Sequence, residues 1–357
     1  LLPEDAALAE RLADVVRNHA PIAFVRDGAV FLIGPDGNDE RALTKAMDAI
    51  FPSWSPDRSQ IAFISLADRS KDFRGTLMLM NGDGSELQPI AEDALPYSWP
   101  VWSPDGRGIA FSSMDAFDSD TFTGSISLNV FEIETGIERN LTGDQLPHAA
   151  VPTWSPDGTE IAFVSNTIQR RTEGGIDLRD GDVYVVPANG GPVQNLTRNR
   201  IFDESWIQWS PAGKRLLILT APGDWLNPAK SRLFLLDLIR DELEEVVVDE
   251  WQLSLPFWSP DGTRIAYITG GDTANLWSDT HVQQIRFDSD VSSFVAWSPD
   301  GQALLVPGAD DTLPSFVVEL NSELGTVVSF AFDYDDLRSG NGPPSWGGIT
   351  PRLVAER

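Results

Sequence analysis

The stretch Trp154-Ser155-Pro156-Asp157-Gly158-Thr159-Glu160-Ile161-Ala162-Phe163 decides how this chain of 357 residues folds. Its Ser-Pro-Asp-Gly core has the chemistry of a tight turn: proline presets φ at the second position and glycine sits where φ must be positive. The aspartate carboxylate is placed to accept from nearby backbone N–H groups. A short apolar run of strand length follows. The tryptophan ahead of the turn is a large apolar plate suited to lie between neighbouring sheets. The pentapeptide recurs at Trp54, Trp102, Trp209, Trp258 and Trp297, at intervals of 39 to 55 residues. Two copies depart from it, with Arg58 at the glycine position and Ala212 at the aspartate position. These two turns are expected to differ slightly in shape from the others.

Each copy leads into an Ile-Ala-Phe-like run, as at Ile61-Ala62-Phe63 and Ile109-Ala110-Phe111. A third run follows after a variable gap, and a fourth ends the unit. Four strands per period of this length is the signature of a β-propeller blade. Residues 22–44 read as the second to fourth strands of a unit that lacks its first. Pro344-Ser345-Trp346-Gly347-Gly348 matches Pro52-Ser53-Trp54 and is expected to supply that strand, closing the ring without a bare sheet edge. The reading is therefore an all-β chain: one β-propeller of four-stranded blades over residues 21–357, with seven blades expected and six if Trp346 is incidental. Residues 4–18 have helical periodicity, with Ala7, Leu8, Leu12, Val15 and Val16 on one side. They are expected to form an amphipathic helix in a separate N-terminal extension, residues 1–20.

The repeated Trp-Ser-Pro-Asp-Gly…Ile-Ala-Phe pattern resembles the TolB-like, or PD40, propeller repeat over residues 22 to about 350. That resemblance implies the fold strongly and the function weakly, since unrelated functions share one fold. TolB proper carries an α/β domain ahead of its propeller, which residues 1–20 do not match. The same repeat caps prolyl-oligopeptidase-type peptidases. Proteins with this repeat are often exported in bacteria, which implies a periplasmic, cell-envelope or extracellular location. The opening Leu1-Leu2-Pro3, without a basic segment, fits a chain whose signal has been removed.

Composition narrows the function classes. The 54 acidic and 26 basic side chains give a formal net charge of −28, which repels a nucleic-acid backbone and an anionic membrane surface. With no cysteine there is no thiolate metal site, thiol nucleophile or disulfide. No apolar run reaches the length of a membrane span. There is no Gly-x-Ser-x-Gly elbow, and His19, His148 and His281 are scattered. His148 reads as a solvated loop residue. No cofactor is expected. Calcium is the metal that clustered loop carboxylates would suit, with Asp115, Asp118 and Asp120 as weak candidates beside the clusters at Asp177, Asp180 and Asp182 and at Asp333, Asp335 and Asp336. Solvated carboxylates are the commoner meaning of such clusters. Asn140-Leu141-Thr142 and Asn195-Leu196-Thr197 match a glycosylation sequon, but their recurrence at the blade's last strand marks them as part of the repeat.

The aromatic residues give the better signal. Seven of the 12 tryptophans occupy the repeat position. Of the other five, Trp99, Trp206 and Trp251 read as lying in connections between blades and Trp225 in a loop between second and third strands. Those loops open on one face, with Tyr97, His148, Tyr334 and Phe117, and with Arg170 and Arg171 among its longest insertions. Aromatic and arginine side chains on loops over a rigid scaffold are common interface anchors. The competing structural meaning is that these tryptophans plug the channel mouth. The first reading is thus a non-enzymatic protein- or peptide-binding scaffold of the envelope. The alternatives are a glycan-active lyase or hydrolase using Asp203, Glu204 and Asp333 in the channel, and a structural subunit of a larger envelope assembly docked through the N-terminal helix.

Overall fold

The computed structural model describes residues 21–346 outside 35–38, 67–73, 97–98, 119–122, 144–145, 147, 171–175, 199, 202–203, 221–222, 225–226, 229–230, 251–252, 289, 291–294, 299, 307–314, 321–325 and 331–344. The helix expected over residues 4–18 lies outside them. The described elements are strands, all paired antiparallel, and none is an α-helix. Consecutive strands form four-stranded sheets, such as Ala149–Trp154, Glu160–Arg170, Ile176–Pro187 and Gln194–Asn195. Three more run in the same way from Glu204–Trp209, Phe257–Trp258 and Ala296–Trp297. The strands starting at Ala49–Trp54 and at Val101–Trp102 form one eight-stranded sheet, joined where Ala94 pairs Ser113 and Leu95 N–H donates to the Ser112 carbonyl at 2.8 Å. The chain ends meet. Ser345–Trp346 pairs with Ile22–Arg26, setting Ile22 opposite Trp346 and Ala23 opposite Ser345, so the C-terminal segment occupies the first-strand position of the N-terminal sheet. This is a propeller arrangement, closed as the sequence pattern requires.

The Ser-Pro-Asp-Gly turns account for the repeat. In each the glycine N–H donates to the serine carbonyl at 2.8–2.9 Å, and glycine φ lies between 68° and 73°. In the Trp154 copy, the Ser155 hydroxyl donates to Asp157 Oδ1 at 2.7 Å, and Asp157 Oδ1 also accepts Thr159 N–H at 3.0 Å. Ser155 Oγ in turn accepts the N–H of Glu160, tying the turn to the next strand. The two divergent copies keep the shape that was expected to change. Arg58 takes φ +62° and donates its N–H to Ser55, and Gly213 donates to Ser210 as the other glycines do. The backbone bond and the enclosing strands hold the turn even where the side chain disfavours it.

Packing follows from strand position. Ile61, Ala62 and Phe63, Ile109, Ala110 and Phe111, and Ile161, Ala162 and Phe163 are fully buried. Second strands lie in the interior of their sheets with both faces covered by neighbouring sheets, so apolar residues occupy consecutive positions. The repeat tryptophans bridge the junctions. The indole N–H groups of Trp102, Trp154 and Trp297 donate at 3.0 Å to the carbonyls of Ser53, Val101 and Phe257, each the residue before the preceding copy's tryptophan. Arginines fasten junctions too: Arg200 on Asp241 and Arg215 on Asp279 hold two others, and Arg264, on the Gly301 carbonyl and over the Trp297 ring, reinforces the one that Trp297 bridges. The sequon threonines serve the fold: Thr142 Oγ1 accepts Leu128 N–H and Thr197 Oγ1 accepts Val183 N–H. Thr44 does the same for Val30 without a sequon.

Candidate functional site

The first strand of each sheet lies innermost, and the segments just ahead of the repeat tryptophans face one another across a central cavity of about 330 Å³. Its wall is aromatic. Trp99 and Trp206 meet with ring centroids 4.4 Å apart, Phe51 lies 5.4 Å from Trp99, and Phe257 lies 5.8 Å from Trp206. Trp99 and Phe257 are parallel to within 5° at 6.3 Å. Such separations are those of favourable aromatic pairs. No charged side chain lines the cavity among the described residues.

Backbone irregularity brings the rings inward. The pairing of Ala49–Trp54 with its neighbour breaks between Ile50 and Ser53, and that of Ala149–Trp154 breaks between Ala150 and Thr153. At each break a large or branched residue, Phe51 or Val151, takes φ +54°. Bulges of this kind re-aim a side chain and end strand pairing. Register also shifts between Glu204 and Trp206. Three side chains at the wall are polar. Gln208 Oε1 accepts Trp258 N–H at 2.8 Å, Thr153 Oγ1 accepts Trp209 N–H at 3.1 Å, and Ser53 stands beside them. The indole nitrogen of Trp206 is buried with no acceptor among the described residues.

Of the face expected from sequence, the structure brings Trp99 and Trp206 together. Trp99 stands in the connection between Gln88–Ala94 and Val101–Trp102, as expected, whereas Trp206 lies within the strand Glu204–Trp209. Tyr97, Arg171, Trp225, Trp251 and Tyr334 lie outside the described residues, as do Asp120, Asp203 and Asp333. Arg170 falls at the end of the strand Glu160–Arg170, Asp115 and Asp118 fall in Gly108–Asp118, and Glu204 begins its strand; only their backbone is described. His148 is not a solvated loop residue. It is 8% exposed, holds φ +60° and has no partner for Nδ1 among the described residues, and burial pushes its pKa below the ordinary histidine value. It directly precedes the inner strand Ala149–Trp154, and that position is enclosed. Phe51 and Phe257 were not singled out from sequence, although a signal existed. Phe51, Trp99, Val151, Trp206 and Leu255 all stand three residues before a repeat tryptophan. Among the described residues no group of three or more histidine or acidic side chains is placed to hold a metal ion.

This combination of repeat, antiparallel four-stranded sheets and closed ends defines a β-propeller. The chain belongs to the TolB beta propeller domain family, PD40, whose profile matches residues 6–231. Among curated proteins it is similar to dipeptidyl-peptidase 5 of Porphyromonas gingivalis, with 25% identity over 131 residues, which is 36% of this chain and 19% of that protein. The chain thus spans about a fifth of that relative's length. Among solved structures it is similar to TolB from Acinetobacter baumannii, with 17% identity, a TM-score of 0.51 and coverage of 80% of this chain and 68% of that one. A structure from a study of two prolyl endopeptidases gives 15% identity and a TM-score of 0.58 over 91% of this chain and 53% of that one. At these identities the likenesses to solved structures concern the fold alone.

Proposed function

We propose that the protein is a non-enzymatic scaffold of the bacterial cell envelope or exterior, a seven-bladed propeller that binds a protein or peptide through the aromatic mouth of its channel. In this reading the eight-stranded sheet counts as two blades and the Ser345–Trp346 strand completes the blade begun at Ile22. The observation that carries the proposal is the convergence of Phe51, Trp99, Trp206 and Phe257, drawn from four different sheet segments, on one uncharged cavity. Clustered aromatic rings on a rigid frame lose little conformational freedom on contact and are the usual anchors of an interface. Membership of the TolB-like family supports a periplasmic or envelope location, and no described helix is long and apolar enough to cross a membrane. The sequence adds Tyr97, Trp225, Trp251, Arg170, Arg171 and Tyr334 to the proposed face on the strength of their positions in the repeat alone.

The test is affinity capture from native envelope extract with wild type and with Trp99→Ala/Trp206→Ala, both shown to be folded, followed by reconstitution with the purified captured protein. Binding retained by wild type and lost by the double variant supports this reading. Equal binding by both removes the aromatic mouth from it.

A further inference from the structure

Four properties of the cavity restrict what can enter it. The first is backbone chemistry. Pro52 and Pro152, in inner strands, and Pro100, just ahead of one, stand at the cavity wall two residues before their tryptophans. Proline has no N–H, and the strands are further interrupted at the bulges around Phe51 and Val151. At these three segments the edge that would accept an added strand is therefore broken. The second is polarity. Gln208 commits its carbonyl oxygen to Trp258 N–H, which leaves its amide hydrogens as the free end of that side chain. Thr153 Oγ1 already accepts from Trp209, which leaves its hydroxyl hydrogen to donate. Trp206 adds a buried indole N–H with no acceptor among the described residues, a state that costs about 1–3 kcal/mol. The wall thus offers donors more than acceptors. The third is charge: the described wall has none, so an ion would lose its hydration without recompense. The fourth is size. A volume of about 330 Å³ is near the lower limit of ligand pockets, enough for a few residues of an extended chain and too small for a folded element.

We propose that the channel mouth receives a proline-rich segment of the partner in polyproline II conformation. This rests on the peptide-binding reading above and names the partner's chemistry. Such a segment is rich in carbonyl acceptors and poor in N–H donors, the complement of this wall. Its conformation exists before binding, so little entropy is lost. Its pyrrolidine rings lie against aromatic faces, as in other grooves that read this conformation. Here Trp99, Trp206 and Phe257 supply the faces, and the donors of Trp206, Gln208 and Thr153 supply hydrogen bonds to the carbonyls.

Tryptophan emission of the full chain, titrated with a blocked oligoproline peptide of about nine residues, tests this directly. Gly-Ser and alternating Val-Thr peptides of the same length serve as comparisons. Oligoproline is expected to shift the emission saturably and the other two are not. Trp206→Phe keeps a ring and removes the N–H; Gln208→Glu keeps the oxygens facing Trp258 and removes the amide hydrogens. Each is expected to weaken binding about five- to tenfold, with a cooperative melting transition as proof of fold. Phe257→Leu provides a ring deletion should either variant fail to fold. Binding of the Val-Thr peptide in preference to oligoproline overturns the polyproline inference and leaves peptide binding standing. No peptide binding by wild type overturns the inference, and the envelope capture then decides the broader reading separately. Full-strength oligoproline binding by both Trp206→Phe and Gln208→Glu also overturns it.

Discussion

Trp99, just ahead of the strand Val101–Trp102, and Trp206, within Glu204–Trp209, are more than 100 residues apart in the chain, yet their indole rings meet at 4.4 Å. Each stands three residues ahead of a repeat tryptophan, so the repeat that builds the blades also aims these rings at the channel. Scaffold and candidate site therefore share one short sequence unit.

The turns come first. Arg58 occupies a left-handed position at φ +62° that its counterparts give to glycine. Arg58→Gly should stabilise the protein by about 1 kcal/mol, since a non-glycine residue is strained there. Ala212→Asp should add a similar amount by restoring the carboxylate that the other turns bond to serine and to backbone N–H. Thermal unfolding of the two variants checks both, and a lowered midpoint in either contradicts the account of these turns.

The same turns set an acid response. Asp57 and Asp157 are held below the ordinary aspartate value of 3.8, first by the hydroxyls of Ser55 and Ser155 and then by backbone N–H groups. For Asp105 and Asp261 burial pulls upward, but bonds from Ser103 and Ser259 and the neighbouring N–H groups outweigh it. A folded pKa below the unfolded one favours the native state when the group is ionised. That stability is full above about pH 4 and is lost as pH falls through the lower folded values. Denaturant midpoints measured from pH 5 down to pH 2 should fall, and Asp157→Asn should flatten the decline while lowering the midpoint at neutral pH.

Junction tryptophans are not equivalent. Trp154 donates to the Val101 carbonyl at 3.0 Å, whereas the indole N–H of Trp209 has no acceptor among the described residues. Trp154→Phe should cost about 1 kcal/mol more than Trp209→Phe, because only the first strands a buried carbonyl. Urea unfolding of the pair reads the difference, and equal losses would contradict the bridging role.

Ring closure is testable because the chain contains no cysteine. Ala23 and Ser345 are register partners across the closing strands. Ala23→Cys/Ser345→Cys should oxidise to an internal disulfide and raise the unfolding midpoint by an amount on the order of 2–4 kcal/mol. Failure to form the bond, with both thiols free, would place the C-terminal strand elsewhere.

Much of this architecture is legible in the Trp-Ser-Pro-Asp-Gly repeat, because turn chemistry and period are local properties. Even the closing strand could be read from Ser345-Trp346, since an unpaired edge at Ile22 demands a partner. The site was legible only in part. Trp99 and Trp206 drew notice as tryptophans outside the repeat; both read as lying in connections between blades, which holds for Trp99, while Trp206 is part of the strand Glu204–Trp209. Counting back from the repeat tryptophan places them, with Phe51, on the channel wall. Phe257 carries no such mark, because a phenylalanine beside a buried tryptophan reads as ordinary core. His148 was misjudged because its burial, at 8% exposure beside the inner strand Ala149–Trp154, leaves no trace in the residues next to it in sequence.

The central claim is that the aromatic mouth of the channel is where a partner docks. The most direct measurement is site-specific photocrosslinking in cells, with a benzoyl-phenylalanine replacing Phe257 at the mouth and, in a second strain, Ile239 in the turn between Ser231–Asp237 and Glu242–Glu250, a residue 75% exposed. The account predicts a discrete crosslinked protein from position 257 that disappears when Trp99→Ala is added, and none from position 239. Crosslinking from position 239 alone, or from position 257 undiminished by Trp99→Ala, would contradict it.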